Sequence, residues 1–187
     1  IAAGMGADVT VLDMSIPRMR YLDDVFGGTF KTRLASRANT AEMVAAADMV
    51  IGAVLIPGAA APKLVSRAQL STMKPGAVVV DVAIDQGGCF ETSKATTHDD
   101  PIYEVDGIMH YCVANMPGAV PLTSTFALNN ATLPFIINLA NKGYKKALLD
   151  DAHFRNGLNV YKGHVTFKEV AEGFNMPYVT ALDALNA

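Results

Sequence analysis

Three carboxylates and one amide stand where apolar runs of this sequence stop. Asp13 closes "VTVLD", Asp81 and Asp85 flank the end of "AVVVDVAID", and Asn115 follows "YCVA". Open α/β sheets bind ligands at the carboxyl ends of their strands, so these are places for chemistry. An acidic residue at the position of Asp13 bonds adenosine ribose hydroxyls in a dinucleotide site, and its charge repels the extra phosphate of NADP. That favours NAD, although an Asp at a strand end also serves as an ordinary turn or cap residue. Arg18, five residues on, could cover an adenine face or soften the preference for NAD. In "GAVLIPGAAAPKLV" the small residues around Pro57 and Gly58 let backbone approach a flat ligand closely; the same string also suits a tight turn. Asp81 can satisfy local backbone donors, whereas Asp85 lies further out, before Gln86, Gly87 and Gly88, and is the better candidate to face a substrate. Asn115 offers donor and acceptor to a carboxamide such as that of nicotinamide, beside Met116, Pro117 and Gly118, which can form an apolar wall or pack.

The other reactive types give weaker signals. His98, His110, His153 and His164 lack metal-ligand spacing and no neighbouring Cys completes a site, so no metal is expected. Cys89 follows two glycines, which suggests exposure, yet no base is identified that would make it a nucleophile. Nothing supports a Ser-His-Asp arrangement.

The elements that must position these groups alternate in type. Strands are expected at 9–13, 29–34, 49–54, 77–83 and 108–113. Several are continuous apolar runs, as in parallel sheets covered by helices on both faces. Asn39 with Glu42, Ser66 with Gln69 and Thr166 with Glu169 have capping-box spacing, and "KPG" at 74–76 turns the chain into the next strand. This pattern predicts an α/β, Rossmann-like doubly wound parallel sheet over 1–121. A helical piece follows over 122–187, with one apolar helix at 124–150 kinked at Pro134 and no strand-rich pattern returning. The opening "IAAGMGADVTVLD" reads as a helix end stopped by Gly6 and running into a strand, so the sheet is expected to lack its first strand and glycine-rich loop.

Composition narrows the classes. Hydrophobic residues are 51% of the 187 and charged residues 18%, which excludes intrinsic disorder. A net charge of −3 without a basic stripe argues against a nucleic-acid partner. Apolar runs are too short for a membrane span. Two cysteines are too few for a disulfide scaffold and fit a reducing, cytoplasmic setting.

Four strings, "ADMVIGAVLIPGAAAPKLVS", "MKPGAVVVDVAIDQGGCFETS", "YCVANMPGAVPLTSTFALNNATLP" and "GMGADVTVLD", together resemble the carboxy-terminal half of the bacterial alanine dehydrogenase family over essentially the whole chain. The related transhydrogenase α subunit is similar in plan but less so in "AIDQGGCF" and "VANMPGAVP". The resemblance implies a two-domain, hexameric subunit that reversibly deaminates L-alanine to pyruvate and ammonia with NAD. It implies that Asp13 holds the adenosine ribose, that Arg18 lies beside the adenine and that Val54 and Leu55 line the cleft. Val82, Ala83, Ile84 and Asp85, with Val113, Ala114, Asn115 and Met116, would lie along the nicotinamide half, and Lys94 matches a basic position near the cofactor. Where the family often has a Ser contacting NAD this chain has Ala35, with Ser36 beside it. The family's catalytic carboxylate maps onto Asp85, while its catalytic histidine and substrate-gripping basic groups belong to the amino-terminal half. Two other readings stand beside this one: a transhydrogenase subunit, and a dinucleotide-binding module without chemistry of its own. Upstream sequence would separate them.

Overall fold

Capping chemistry and glycines set the element boundaries. In the computed structural model, which describes residues 1–56 and 60–187, a short 3₁₀ turn at Ala3–Met5 ends on Gly6 in the left-handed region and leads into β1 (Thr10–Asp13). The reading of Pro57 and Gly58 lies outside the described residues. Ser15 caps α1 (Ile16–Phe26) by accepting the Arg18 N–H, and Pro17 fits the first turn because no hydrogen bond is needed from its nitrogen. After β2 (Lys31–Leu34), helix α2 (Arg37–Ala46) is capped by Ser36, whose hydroxyl accepts the Asn39 N–H. The expected Asn39–Glu42 capping box is therefore corrected. The Asn39 side chain donates back to the Leu34 carbonyl, and Glu42 pairs with Arg33. After β3 (Met49–Gly52), the Ser66–Gln69 box does form, at the start of the short α3 (Arg67–Leu70).

Strand β4 (Val78–Asp81) follows, then a hairpin of β5 (Ile102–Val105) and β6 (Ile108–Tyr111). β1 and β2 pair in parallel, and a four-stranded sheet has the order β3-β4-β6-β5, parallel except for β5. The expected α/β architecture with parallel strands and crossover helices is present, but among the described residues the two ladders share no hydrogen bonds. Strand β5 lies outside the strands expected from the sequence. Its turn places Asp106 and Gly107 both at positive φ, the geometry that Asp-Gly favours in two-residue hairpins. The core gathers under the larger sheet from Val44, Val65, Leu70, Met73, Val79, Phe90 and Ile108. Coverage is one-sided at β3, where Met49 and Ile51 stay about half exposed, so burial on both faces does not hold there.

Helix α4 (Pro121–Lys142) passes through Pro134 and ends at Gly143, whose φ of 73° breaks the chain before α5 (Tyr144–Asp150). One helix over 124–150 is thus corrected to two. Beyond α6 (Ala152–Arg155), a small hairpin of β7 (Val160–Tyr161) and β8 (His164–Val165) does return, on a Lys162-Gly163 turn with both residues at positive φ. Thr166 does not cap α7 (Lys168–Gly173). Its hydroxyl donates to the Leu158 carbonyl instead, bracing the hairpin. With α8 (Ala181–Asn186), these elements bury Ala147, Leu148, Val165, Ala171, Ala184 and Leu185 in a second small core. Among the described residues no helix is long and apolar enough to cross a membrane.

Candidate functional site

The turn after β4 is built around a buried charge. Asp81, fully buried, accepts the N–H groups of Ala83 (3.1 Å), Cys89 (2.9 Å) and Phe90 (3.4 Å), and the Ser93 hydroxyl. A carboxylate with this many donors costs little to bury, because each lone pair lost from water is replaced. Gly88, at φ 75°, lies so close to Asp81 that a Cβ there would collide with its Oδ2, which explains the glycine physically. On the other side, the Lys63 ammonium donates to the carbonyls of Gly87 (2.6 Å) and Gly88 (2.9 Å), and Ala61 N–H donates to the Gln86 carbonyl (2.8 Å). Nothing in the type or spacing of Lys63 announces that role.

Between these restraints, a single 3₁₀ turn at Ile84–Gln86 presents Asp85 to solvent. Strand alternation ends at Asp81, so the two carboxylates differ by position in the turn and not by strand face. Among the described residues the exposed Asp85 side chain makes no ion pair or hydrogen bond. Val82 is half exposed beside it, while Ala83 and Ile84 are buried and can offer a ligand only backbone.

The neighbouring strand ends supply the remaining groups. Asp13 ends β1, with Oδ1 accepting the Ser15 N–H at 2.7 Å and its carbonyl accepting the Ala35 N–H at 2.9 Å. Ser36, across from it at the end of β2, is engaged as the α2 cap. The Arg18 guanidinium rests 4.9 Å above the Tyr21 ring, on the exposed face of α1. After β3, Val54 packs on the core and Leu55 is exposed. Following β6, Val113 is buried, Ala114 and Asn115 are exposed and Met116 is half-buried at a 3₁₀ turn. The Asn115 carbonyl accepts a hydrogen bond from His98 Nε2 at 2.6 Å, a contact the polar surroundings of His98 did not suggest.

Cys89 is 1% exposed, against the expectation from its two preceding glycines. It packs against Gly52, where a Cβ would overlap the sulfur, and burial beside Asp81 pushes its thiol up to about 12. Such a thiol is no nucleophile at neutral pH. Cys112 is buried as well, and burial again raises its thiol. Among the described residues no group of three His, Cys, Asp or Glu is arranged to hold a metal ion. Strand ends carrying carboxylates, an exposed cation at Lys94 that makes no ion pair among the described residues, an amide and patches of exposed apolar surface suit a ligand that is part charged and part flat.

Residues 1–168 match the family described as alanine dehydrogenase/PNT, C-terminal domain. The chain is similar to the alanine dehydrogenase of Halomonas elongata, 62% identical over 181 residues, which are 97% of this chain and 49% of that protein. Similarity to the alanine dehydrogenase of Lysinibacillus sphaericus is 57% over 180 residues, 96% of this chain and 48% of that one. A solved L-alanine dehydrogenase superposes with a TM-score of 0.83 at 46% identity, covering 93% of this chain and 48% of its own. A transhydrogenase from Sinorhizobium meliloti is more distant, with a TM-score of 0.62 at 32% identity over 72% of this chain and 38% of its own. The chain spans about half the length of the curated relatives it matches. With the match running through both strand ladders and into the carboxy-terminal elements, this chain belongs to the alanine dehydrogenase/PNT family, in its C-terminal domain.

Proposed function

We propose that this chain is the cofactor-binding half of an NAD-dependent L-alanine dehydrogenase, acting in the reversible deamination of L-alanine to pyruvate and ammonia. Residues 1–121 form the nucleotide-binding domain and residues 122–187 the carboxy-terminal part of the substrate domain. The working unit is an oligomer, a hexamer by family resemblance, in the cytoplasm. The observation that carries this reading is Asp85: an exposed carboxylate without an internal partner among the described residues, in a turn fixed from both sides by Asp81 and Lys63. A rigid support around a free charge is what a positioned acid/base group requires.

The residues present fit NAD. Asp13 would accept from ribose hydroxyls, Arg18 and Ser36 stand at the adenine end, and Leu55 and Val82 offer apolar surface. Lys94 brings a positive charge, and the exposed Asn115 side chain, without a hydrogen bond among the described residues, would bind a carboxamide. Bound NAD supplies the two-electron acceptor. With the substrate oxidised to its iminium by loss of hydride to the coenzyme, the Asp85 carboxylate would stabilise that positive charge. It would orient the water that attacks the iminium carbon, take up the water's proton and return it to the nitrogen that leaves as ammonia. Asp81 stays unavailable for proton transfer because its oxygens are occupied by the turn.

The test is steady-state deamination by the full-length protein with NAD and L-alanine, beside NADH titration followed by fluorescence. Alanine-dependent NAD reduction is the expected result. Transfer between NAD(H) and NADP(H) without any alanine requirement would assign the chain to the transhydrogenase branch instead.

A further inference from the structure

We infer that Tyr103 is a positioning residue for Lys94, acting on coenzyme affinity through the backbone of the segment 92–98; this rests on the proposed role of Lys94. The segment runs beside the end of β6, where Thr96 N–H donates to the Cys112 carbonyl (2.9 Å) and Ala114 N–H to the Thr96 carbonyl (3.2 Å). At its start, one hydroxyl holds it twice. Tyr103 Oη accepts the Lys94 N–H at 2.8 Å and donates to the Thr92 carbonyl at 2.9 Å, using its single proton and one lone pair. Burial raises the Tyr103 phenol, so the proton stays in place at all working pH values.

The ring is fixed in turn. Tyr103 and His110 are register partners across the β5–β6 hairpin and stack with centroids 4.8 Å apart. His110 Nδ1 donates to the Ile108 carbonyl at 2.9 Å, which leaves Nε2 to accept the Thr92 hydroxyl at 2.7 Å. Two side chains of one hairpin therefore converge on residues 92–94. The result at Lys94 is a fixed backbone beneath an exposed ammonium that has no ion-pair partner among the described residues. A cation anchored in this way gives up less freedom when it meets an anionic ligand than one on a loose loop.

Tyr103→Phe in the full-length protein removes only the hydroxyl. Loss of the partner that holds the Lys94 N–H should weaken NADH binding and raise KM for NAD by about fivefold, with kcat at saturating coenzyme nearly unchanged. Lys94→Ala should weaken NADH binding at least as much, and adding Tyr103→Phe to it should then weaken binding no further. Thr92→Val, which removes the contact with His110 but leaves both Tyr103 hydroxyl hydrogen bonds to the backbone of 92–94 in place, should lower stability to urea while sparing NADH affinity. Equal losses of affinity in the Thr92 variant, or fully additive losses in the double variant, would overturn the inference. Hydrogen exchange at the Lys94 amide, measured without coenzyme, separates this inference from the functional reading. Exchange should quicken in Tyr103→Phe even if the wild-type protein proved not to bind NADH, an outcome that would remove the functional reading alone. Unchanged exchange at Lys94 would remove Tyr103 from the role.

Discussion

Asp81 accepts the Cys89 N–H across eight residues of chain at 2.9 Å, and that bond closes the loop on which Asp85 stands. One carboxylate is thereby taken up in holding the turn, and the proposed function assigns the chemistry to the other. Both belong to the same string, "DVAID", yet one is fully buried and the other exposed.

Replacing Asp85 by Asn keeps size and removes charge. In the full-length protein we expect kcat for deamination to fall by roughly two orders of magnitude, with NADH affinity little altered. Steady-state rates beside NADH titration decide it. Near-normal turnover would remove Asp85 from the chemical step.

Asp81→Asn should act on stability. The amide turns a donor toward backbone N–H groups that need an acceptor, for a loss on the order of 3 kcal/mol. A lower urea midpoint with unchanged slope is the expected signature. Ser93→Ala removes one donor from the same carboxylate and should show a smaller shift in the same direction.

The proposed function gives Asp13 the choice between coenzymes. Asp13→Gly should weaken NAD binding and narrow the preference over NADP, because the charge that opposes a 2′-phosphate is gone. Titration with both coenzymes tests it, and wild-type protein binding NADP as tightly as NAD would contradict the assignment.

The Cys89 thiol should resist thiol reagents in the folded protein and react on unfolding. Its folded value, about 12, lies above the ordinary 9.0, so ionisation is harder in the folded state than in the unfolded one. The stability this contributes is whole below pH 9 and declines as pH rises from about 9 toward 12. Urea midpoints across that window should fall less steeply in a folded Cys89→Ala variant than in wild type.

Helix α4 leaves Leu122, Phe126, Leu128, Phe135 and Ile136 exposed, and none of its residues is buried. So much apolar surface on one helix favours association. The 187-residue chain made alone should self-associate in light scattering as concentration rises; a stable monomer at high concentration would count against this.

The sequence by itself determined the parts that depend on local chemistry. Apolar runs marked β1, β3, β4 and β6, and the Ser66–Gln69 spacing gave a true capping box. The Asp-Gly and Lys-Gly turns at 106–107 and 162–163 were equally legible as hairpin signals, but short flanking runs hid the strands they join. Cap positions were less so: Ser36 and Asn39 both carry suitable oxygens, and the Leu34 carbonyl decided between them by engaging the Asn39 side chain.

Tertiary structure alone decided where distant chain segments meet. Lys63 reaches the Gly87–Gly88 carbonyls from 24 residues away, Tyr103 reaches back to Lys94, and His98 reaches forward to Asn115. Cys89 is buried because β3 brings Gly52 against it, a contact no local pattern encodes. Residue type and spacing fix what a side chain is able to do within a few residues of itself. Hydrogen-bond partners and burial are set by which strands the sheet places side by side, and that ordering is a property of the whole packed chain.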